Sequence, residues 1–275
     1  MPPRRRYPSD LRAAEWALLA PLIPAVKAGG RPAIWSRWEL VNAMLYVLRN
    51  GCAWRSLPHD LPPWRTVYHY FRVWRRDGIW AAANAALRER ERRRQGRQAT
   101  PSAAIIDSQS ARTTERGGPA GYDGGKKVTG RKRHLLVDTL GLVLLAVVHP
   151  ADVADRDGAR LVRTEALAAT FPRLAHLWAD AGYRGALVPW ITATLGWTVA
   201  IVKHRSRWVR VPADQEPPPW PKGFQVLPRR WVVERTFAWL GRNRRLSKDY
   251  EGLSATTEAW IYLAMCRLML RRLAA

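Results

Sequence analysis

Apolar positions in the first third of the chain recur at the spacing of amphipathic helices. Ser9 can cap a first helix, which Pro21 stops. Ser36 and Glu39 have the spacing of a capping box, the apolar residues after them keep helical spacing, and Gly51 supplies the stop of a second helix. The chain is therefore predicted to open with helices.

A third helix is predicted to follow the prolines at 62–63. Val67, Phe71 and Trp74 recur at i, i+4 and i+7 and form its inward stripe. The rest of its surface is basic and hydrogen-bonding, which is typical of a helix-turn-helix recognition helix that enters a DNA major groove. An ordinary solvated helix with an apolar stripe is the alternative. The predicted DNA contacts are Arg65, Thr66, His69, Arg72, Arg75 and Arg76.

The hydrophobic period changes after the charged stretch 88–102, which we interpret as a helix tail leading into a linker. Short apolar runs follow, and two of them flank a turn at 139–141 as in a β-hairpin. The predicted elements are a strand at 103–107, hairpin strands at 134–138 and 142–148, a helix from Asp155 to about 170, a strand at 174–178, a helix at 186–195 and a strand at 198–202.

A basic, Pro-rich loop is predicted over 203–228, and two helices near 229–245 and 255–273 close the chain. Hairpin strands followed by alternating strands and helices predict an α/β fold, with a mixed sheet covered by helices. This order fits the ribonuclease-H-like fold. Two domains are expected, an all-helical one over 1–98 and a mixed-sheet one over 99–275.

The charge of the chain indicates a polyanionic partner. Lys and Arg total 46 against 22 Asp and Glu, a formal net charge of +24. Such an excess opposes a compact state unless a polyanion neutralises it, and nucleic acid is the natural candidate. Because 39 of the 46 basic residues are Arg, the composition of a GC-rich genome is the alternative explanation. An anionic membrane is disfavoured, since no stretch reaches the roughly 18 apolar residues of a spanning helix.

The cysteines and the first residues of the chain argue against several classes of protein. Cys52 and Cys266 stand alone, with no Cys-x-x-Cys motif, which argues against a zinc finger or a disulfide framework. The first six residues lack the apolar core of a signal peptide, so we expect a cytoplasmic, nucleoid-associated protein.

Two acidic residues end predicted strands. Asp107 ends the run that starts at Ala103, and Asp180 follows the run that ends at Ala179. A single such acid more often only begins a turn. Two in a strongly basic protein favour a site for Mg²⁺, a hard ion that takes a few carboxylates together with water and phosphate.

A third acid, Glu234, lies on the predicted helix 229–245. At about 100° per residue, Arg230 and Arg245 fall within about 40° of Glu234 on the helix surface. The pattern is compatible with a metal ligand flanked by phosphate contacts. It is equally compatible with an i,i+4 Arg–Glu pair on a solvated helix.

Several separated motifs resemble one family along nearly the whole chain. The helical part resembles its DNA-binding region at NAMLYVLRNGCAWRSLP (42–58) and TVYHYFRVWRRDGIW (66–80). The rest resembles its catalytic region at IIDSQS (105–110), GGKKVTGRKRHLLVDTLG (124–141), WADAGYRG (178–185) and RRWVVERTFAWLGRNRRLSKDYE (229–251). The family is that of the DDE insertion-sequence transposases of the insertion-sequence-four and insertion-sequence-five kind.

The resemblance implies that Asp107, Asp180 and Glu234 are the catalytic, metal-binding triad of a ribonuclease-H-like DDE transposase domain. It implies two divalent ions, Mg²⁺ or Mn²⁺. It also implies that water cuts the DNA at the ends of the element and that the freed 3′-OH then attacks target DNA. The partners are double-stranded DNA, as terminal inverted repeats and as target, and a homodimer on that DNA is compatible with the pairing of two ends.

The family often has a Tyr seven residues before its last acid, an Arg four before and a Lys seven after. Here Arg230 matches, whereas Leu227 and Gly241 replace the Tyr and the Lys. Those two accessory roles are therefore in doubt. The replacement positive charge is expected from one of the following basic residues, which are Arg242, Arg244, Arg245 and Lys248.

Three further groups have a functional and an ordinary interpretation. The basic run Lys126, Lys127, Arg131, Lys132 and Arg133 is interpreted as a phosphate contact, with solvated charge as the alternative. The acids at 152, 155 and 157 lack the spacing of a calcium loop, so helix capping is favoured. Trp220 is a candidate for stacking on an unpaired base.

Two other functions are compatible with the same sequence. A metal-dependent nuclease would cut DNA without joining it. A catalytically silent DNA-binding protein would bind DNA without cutting, although the presence of all three acids argues against it.

Overall fold

Helices make up the first part of the chain in the computed structural model, which describes residues 4–25, 34–160, 164–202 and 229–275. Within these ranges the opening helices are α1 (Ala13–Leu19), α2 (Arg37–Asn50), α3 (Trp64–Arg76) and α4 (Ile79–Arg94). None of the helices in the described ranges combines the length and the apolar character that a bilayer crossing requires.

Both ends of α2 and the start of α3 agree with the sequence, whereas the start of α1 does not. Ser36 accepts a hydrogen bond from the Glu39 N–H, and Gly51 ends α2 in the left-handed region at φ 71°. The N-cap of α1 is Arg12, three residues later than the predicted Ser9, because residues 7–10 form a turn closed by the Asp10 N–H on the Tyr7 carbonyl. The carboxylate of Glu15 accepts the N–H of Arg12, the residue before α1.

Six strands form one mixed sheet in the described part of the chain. They are β1 (Ala103–Arg112), β2 (Gly121–Asp123), β3 (Val128–Asp138), β4 (Val143–Pro150), β5 (His176–Ala179) and β6 (Thr198–Ile201). Strand β3 pairs antiparallel with β1, β2 and β4, and β5 runs parallel to both β1 and β6. The order β4-β3-β1-β5-β6, with only β3 reversed, is the ribonuclease-H-like topology.

Helices cover both faces of this sheet. Helices α5 (Asp155–Arg160), α6 (Thr164–Thr170) and α7 (Leu187–Leu195) pack on one face, in a core with Ala104 and Ile106. Helices α8 (Arg230–Gly241) and α9 (Ser254–Leu273) pack on the other face, in a core with Ile105. Alternate β1 residues therefore face different helices, as the twofold period of a strand requires.

The opening helices pack into the same core as Ile105, α8 and α9. Phe71 of α3 stacks on Trp260 of α9 at 4.1 Å between ring centroids, and both lie in one hydrophobic cluster with strand residues. One side of the end of α4 is also buried, so the interpretation as a solvated tail holds only for its other side: Arg88 donates to the Val143 carbonyl, and Arg92 forms a buried ion pair with Asp138, whereas Arg93 is exposed. The predicted boundary at 98/99 lies between α4 and β1, and the packing continues across it.

Candidate active site

Asp107 lies within β1 rather than at its end, which corrects the prediction. The strand continues to Arg112 because β3 pairs with it along its whole length. The parallel neighbour β5 pairs only with residues 103–105 of β1 and ends at Ala179. Asp107 therefore lies where the two parallel strands have separated, and its neighbour Ile105 shows that its side of β1 faces α8.

Asp180 directly follows β5, as predicted, and begins a short 3₁₀ turn at 181–183. Its Oδ1 accepts the Gly182 N–H at 2.8 Å, which fixes the carboxylate at the start of the turn. Glu234 lies in the second turn of α8 with a side chain that is 54% exposed. One acid thus comes from a strand, one from the end of a neighbouring strand and one from a helix.

Arg230 brings the three acids together. Its Nη2 lies 3.5 Å from Glu234 Oε1, 3.9 Å from Asp107 Oδ2 and 4.0 Å from Asp180 Oδ2. The Arg230 side chain is largely buried, and its Nε has no hydrogen-bond partner among the described residues. A single guanidinium nitrogen thus compensates three carboxylates that lie more than 50 residues apart in the sequence.

The surroundings of Asp107 disfavour its charged form. Burial is the main cause and raises the pKa of Asp107 to about 6, with the Asp180 carboxylate acting in the same direction. The Ser108 N–H, Arg230 and Lys126 oppose this effect only in part. A bound cation next to Asp107 would therefore stabilise its charged form.

The residues fit a divalent metal in chemistry and only in part in their present arrangement. Three carboxylates around one point of positive charge are the hard oxygen donors that Mg²⁺ and Mn²⁺ prefer. Among the residues that the structure describes, however, no group of three or more acidic, His or Cys side chains stands close enough to hold an ion. The guanidinium of Arg230 lies between them.

Family comparisons decide what kind of protein carries this site. The model of the family described as "Transposase DDE domain" matches residues 98–269, which is more than half of the chain. The chain belongs to the DDE transposase family. Residues 11–84 match a second family, described as "Putative transposase of IS4/5 family". The recognition made from the sequence motifs is thereby confirmed, and no curated protein matches the chain.

Two solved structures of the Mos1 transposase are similar to this one at low identity. They are described as "Mos1 transposase paired-end complex with left transposon end" and "Crystal structure of a pre-cleavage Mos1 transpososome". Identities are 16% and 15%, and the TM-score is 0.24 for each. Each match covers 64% of this chain and 61% of the Mos1 chain, so this transposase spans less than two thirds of that relative.

Three basic residues that we predicted as DNA contacts in this transposase are buried in ion pairs, which corrects their assignment. Arg131 is fully buried, pairs with Asp249 at 3.1 Å and donates to the Glu251 carbonyl. Two more are tied in the same way: Lys132 pairs with Asp155 and Arg245 with Glu251. Arg245 also lies outside α8, which ends at Gly241 rather than near 245.

Arg133 is also buried and donates to the Leu246 and Lys248 carbonyls, and Arg230 is largely buried among the acids. The remaining predicted DNA contacts of the transposase are on the surface or close to it. Lys126, Lys127 and Lys248 are exposed, and Lys126 Nζ donates to the Ser108 carbonyl next to Asp107. On α3, residues Arg65, His69, Arg72 and Arg76 are exposed and Thr66 is half-buried. Arg75 is half-buried and donates to Thr256 of α9, so it also links two helices.

Two positions raised by the sequence lie outside the described residues, namely Trp220 and Leu227. The sequence reasoning also missed a polar group next to the segments that carry Asp107 and Asp180. Asp155 was interpreted as a helix cap, and it does begin α5, but its carboxylate accepts from Ser108 Oγ at 2.8 Å and pairs with Lys132 at 3.1 Å. The alternation of polar residues at 108 and 110 in β1 was the signal for a buried polar face there.

Proposed function

We propose that this DDE transposase cuts DNA at the ends of an insertion element and joins the freed 3′-OH groups to target DNA, with Asp107, Asp180 and Glu234 as its catalytic acids. The observation that supports it most directly is the convergence of the three carboxylates on Arg230 Nη2, at 3.5 to 4.0 Å. Acids so far apart in the sequence are not brought together by local structure. Because their charges repel one another, their proximity requires a cation.

The three acids would hold Mg²⁺ or Mn²⁺, and we infer two ions. Bound ions would activate the attacking oxygen and stabilise the leaving oxygen of the phosphodiester. In the first step water displaces a 3′-OH from phosphorus at the element end. In the second step that 3′-OH displaces a 3′-oxygen of the target strand, so that one P–O bond forms for each one broken.

Basic residues beside the acids would position the DNA backbone. Lys126 donates to the carbonyl of Ser108, the residue after Asp107. The Arg230 guanidinium, now beside the carboxylates, would instead donate to a phosphate oxygen of the bound DNA. The exposed basic face of α3 would supply sequence contacts or further phosphate contacts. Because two element ends must be held together for joining, we infer a homodimer on the DNA.

The deciding experiment is a strand-transfer assay with precut duplexes that carry the terminal inverted repeats flanking the gene, a supercoiled target plasmid, and Mg²⁺ or Mn²⁺. Joined product is expected from the wild-type protein. Asp107→Asn, Asp180→Asn and Glu234→Gln should each reduce joining and cutting to background while DNA binding remains. Asp157→Asn is the matched control, since Asp157 is an exposed acid of α5 with only Arg156 as its ion-pair partner among the described residues.

The same assay separates the other functions. Metal-dependent cutting without joined product would identify a nuclease and overturn the transfer step. DNA binding without any cutting, in wild type as in Asp107→Asn, would identify a silent DNA-binding protein. Full activity in all three acid variants would overturn the assignment of the acids.

A further inference from the structure

A buried polar patch lies on the face of the sheet opposite to Asp107. Ser108 and Ser110 of β1 are paired across the sheet with His134 and Lys132 of β3. Ser108, Lys132 and His134 are buried, and they face the helices α5 to α7 rather than solvent. Buried polar groups of this kind are costly unless they are hydrogen-bonded, so their partner matters.

Asp155, the first residue of α5, is that partner. Its Oδ1 lies 2.8 Å from Ser108 Oγ, 3.1 Å from Lys132 Nζ and 3.7 Å from His134 Nε2. Burial opposes its charge, yet the nearby His134 ring, the hydrogen bond from Ser108 and the ion pair with Lys132 hold the pKa of Asp155 well below its ordinary value. Asp155 is therefore a fixed anion that three groups of the patch surround.

The close approach of α5 to the sheet depends on Gly158. A Cβ at this position would lie 2.5 Å from His149 Nε2 and 2.8 Å from the ring of His134. Only a glycine allows the helix to lie directly on the two imidazoles, and this contact sets the height of Asp155 above Ser108.

The patch contacts the segments that carry two of the three acids. The Ser108 N–H donates to Asp107 Oδ1 at 2.7 Å, so the position of Ser108 sets the orientation of the Asp107 carboxylate. On the other side, a Cβ at Gly182 would lie 3.1 Å from Asp180 Oδ1 and 3.3 Å from Asp155 Oδ2. The turn that fixes Asp180 is thus packed against Asp155.

Tyr183 completes the link to Asp180. It is buried directly after Gly182, and its Oη lies 3.5 Å from His134 Nδ1. The 3₁₀ turn that begins at Asp180 is therefore held at its far end by the same patch. Asp107 and Asp180 belong to different strands that have separated at this point, and the patch joins them.

We propose that Asp155 is a positioning residue that, through Ser108 and the turn at 181–183, fixes the spacing of Asp107 and Asp180 for divalent-metal binding. This inference rests on the proposed function, because it assumes that the two acids are metal ligands. Groups that orient metal ligands typically contribute about 10- to 100-fold to metal affinity.

The test measures Mn²⁺ affinity of the DNA-free, full-length protein from the free Mn²⁺ signal in electron paramagnetic resonance, at a temperature where circular dichroism shows each variant to be folded. Asp155→Asn and Ser108→Ala are expected to weaken Mn²⁺ binding about tenfold or more. Asp157→Asn, on the exposed side of the same helix, is expected to bind as wild type does. Asp107→Asn is included as the variant that removes a ligand.

The outcomes separate this inference from the proposed function. Mn²⁺ binding that is unchanged in Asp107→Asn overturns the proposed function itself. Loss in Asp107→Asn with wild-type affinity in Ser108→Ala overturns the positioning role and leaves the proposed function standing. If Asp155→Asn does not fold, Ser108→Ala decides alone, since it removes one hydroxyl and leaves the Lys132–Asp155 pair intact. An equal loss in Asp157→Asn would also overturn the positioning role.

Discussion

Arg230 and Glu234 are one helical turn apart on α8, and Arg230 Nη2 lies 3.5 Å from Glu234 Oε1. The pair has the spacing of an ordinary surface ion pair. It is not one, because the same nitrogen also lies 3.9 Å from Asp107 of the sheet and the guanidinium is largely buried. The arginine therefore acts as the internal counter-ion of the acidic site.

Replacing this counter-ion should strengthen metal binding in the absence of DNA. Arg230→Gln removes a positive charge within 4.0 Å of three carboxylates, so divalent ions compete with one cation fewer. We expect Mn²⁺ to bind at least about tenfold more tightly, while DNA cutting falls. Calorimetry on the DNA-free protein measures the affinity. Arg242→Gln, an exposed position just after α8, is the control, and unchanged or weaker binding in Arg230→Gln would contradict the counter-ion role.

Exposed arginines of α3 should contribute to DNA affinity through the phosphates. Arg72→Gln is expected to weaken binding at low salt and to reduce the slope of log affinity against log salt by about 1. Fluorescence anisotropy of a labelled duplex at several salt concentrations gives this slope. Arg93→Gln removes the same charge from an exposed part of α4 and should leave it unchanged. Equal slopes for Arg72→Gln and wild type would exclude α3 from the interface.

Arg131 should behave in the opposite way, because it is a buried structural residue. Arg131→Gln leaves the buried carboxylate of Asp249 without its ion-pair partner, which typically costs about 3–5 kcal/mol. Urea denaturation should therefore show a large loss in the free energy of unfolding, with a DNA-binding salt slope that is unchanged in the remaining folded protein. A stable Arg131→Gln variant with a reduced slope would restore its interpretation as a DNA contact.

The contact between Gly158 and the two imidazoles should tolerate no side chain. Gly158→Ala places a methyl group 2.5 Å from His149 Nε2, so α5 must move away from the sheet. We expect a loss of about 1–3 kcal/mol in the free energy of unfolding, together with weaker Mn²⁺ binding. Gly241→Ala is the matched control, since no described residue outside its own helix backbone and chain neighbours lies within 4 Å of its added Cβ. A gain in stability in both variants would contradict the close approach of α5.

Glu15 should make stability depend on pH. It is buried on α1, and although burial alone would raise its pKa, the Arg12 N–H and Arg267 of α9 hold the pKa of Glu15 below its ordinary value. A carboxyl with a lowered folded-state pKa stabilises the protein above its unfolded pKa of about 4.3, and that stabilisation is lost as the pH falls through the folded pKa.

Glu15→Gln should therefore lose about 2 kcal/mol at pH 7, and the difference from wild type should shrink as the pH falls below about 4. Chemical denaturation between pH 3 and pH 7 measures it, with Glu89→Gln on the exposed side of α4 as the control. A difference that grows toward low pH would contradict the sign of the shift.

Local patterns predicted most of the elements of this transposase. The stripe of Val67, Phe71 and Trp74 identified α3, the turn residues at 139–141 identified the hairpin, and the motif at 178–185 placed Asp180 directly after β5. These features depend on the periods of helices and strands and on turn chemistry, which act over a few residues.

Burial of charge was decided by tertiary structure alone. Arg131 and Arg245 have the same local appearance as exposed arginines, and only their carboxylate partners make them structural. The partner of Arg131 lies 118 residues further along the chain. The extension of β1 past Asp107 likewise depends on a partner strand, since a sequence of alternating polar residues does not reveal that β3 pairs with it.

The sequence by itself determined the family, the helices and strands, and the three acids that the proposed function requires. Only the folded chain decided that a fourth charged group, Arg230, lies among those acids, and that Asp155 packs against two of the segments that carry them. The physical reason is that the hydrophobic period and the spacing within a motif depend on residues that are close together in the sequence. The electrostatic balance of a site depends instead on which side chains, far apart in the sequence, lie within a few ångströms of one another in the fold.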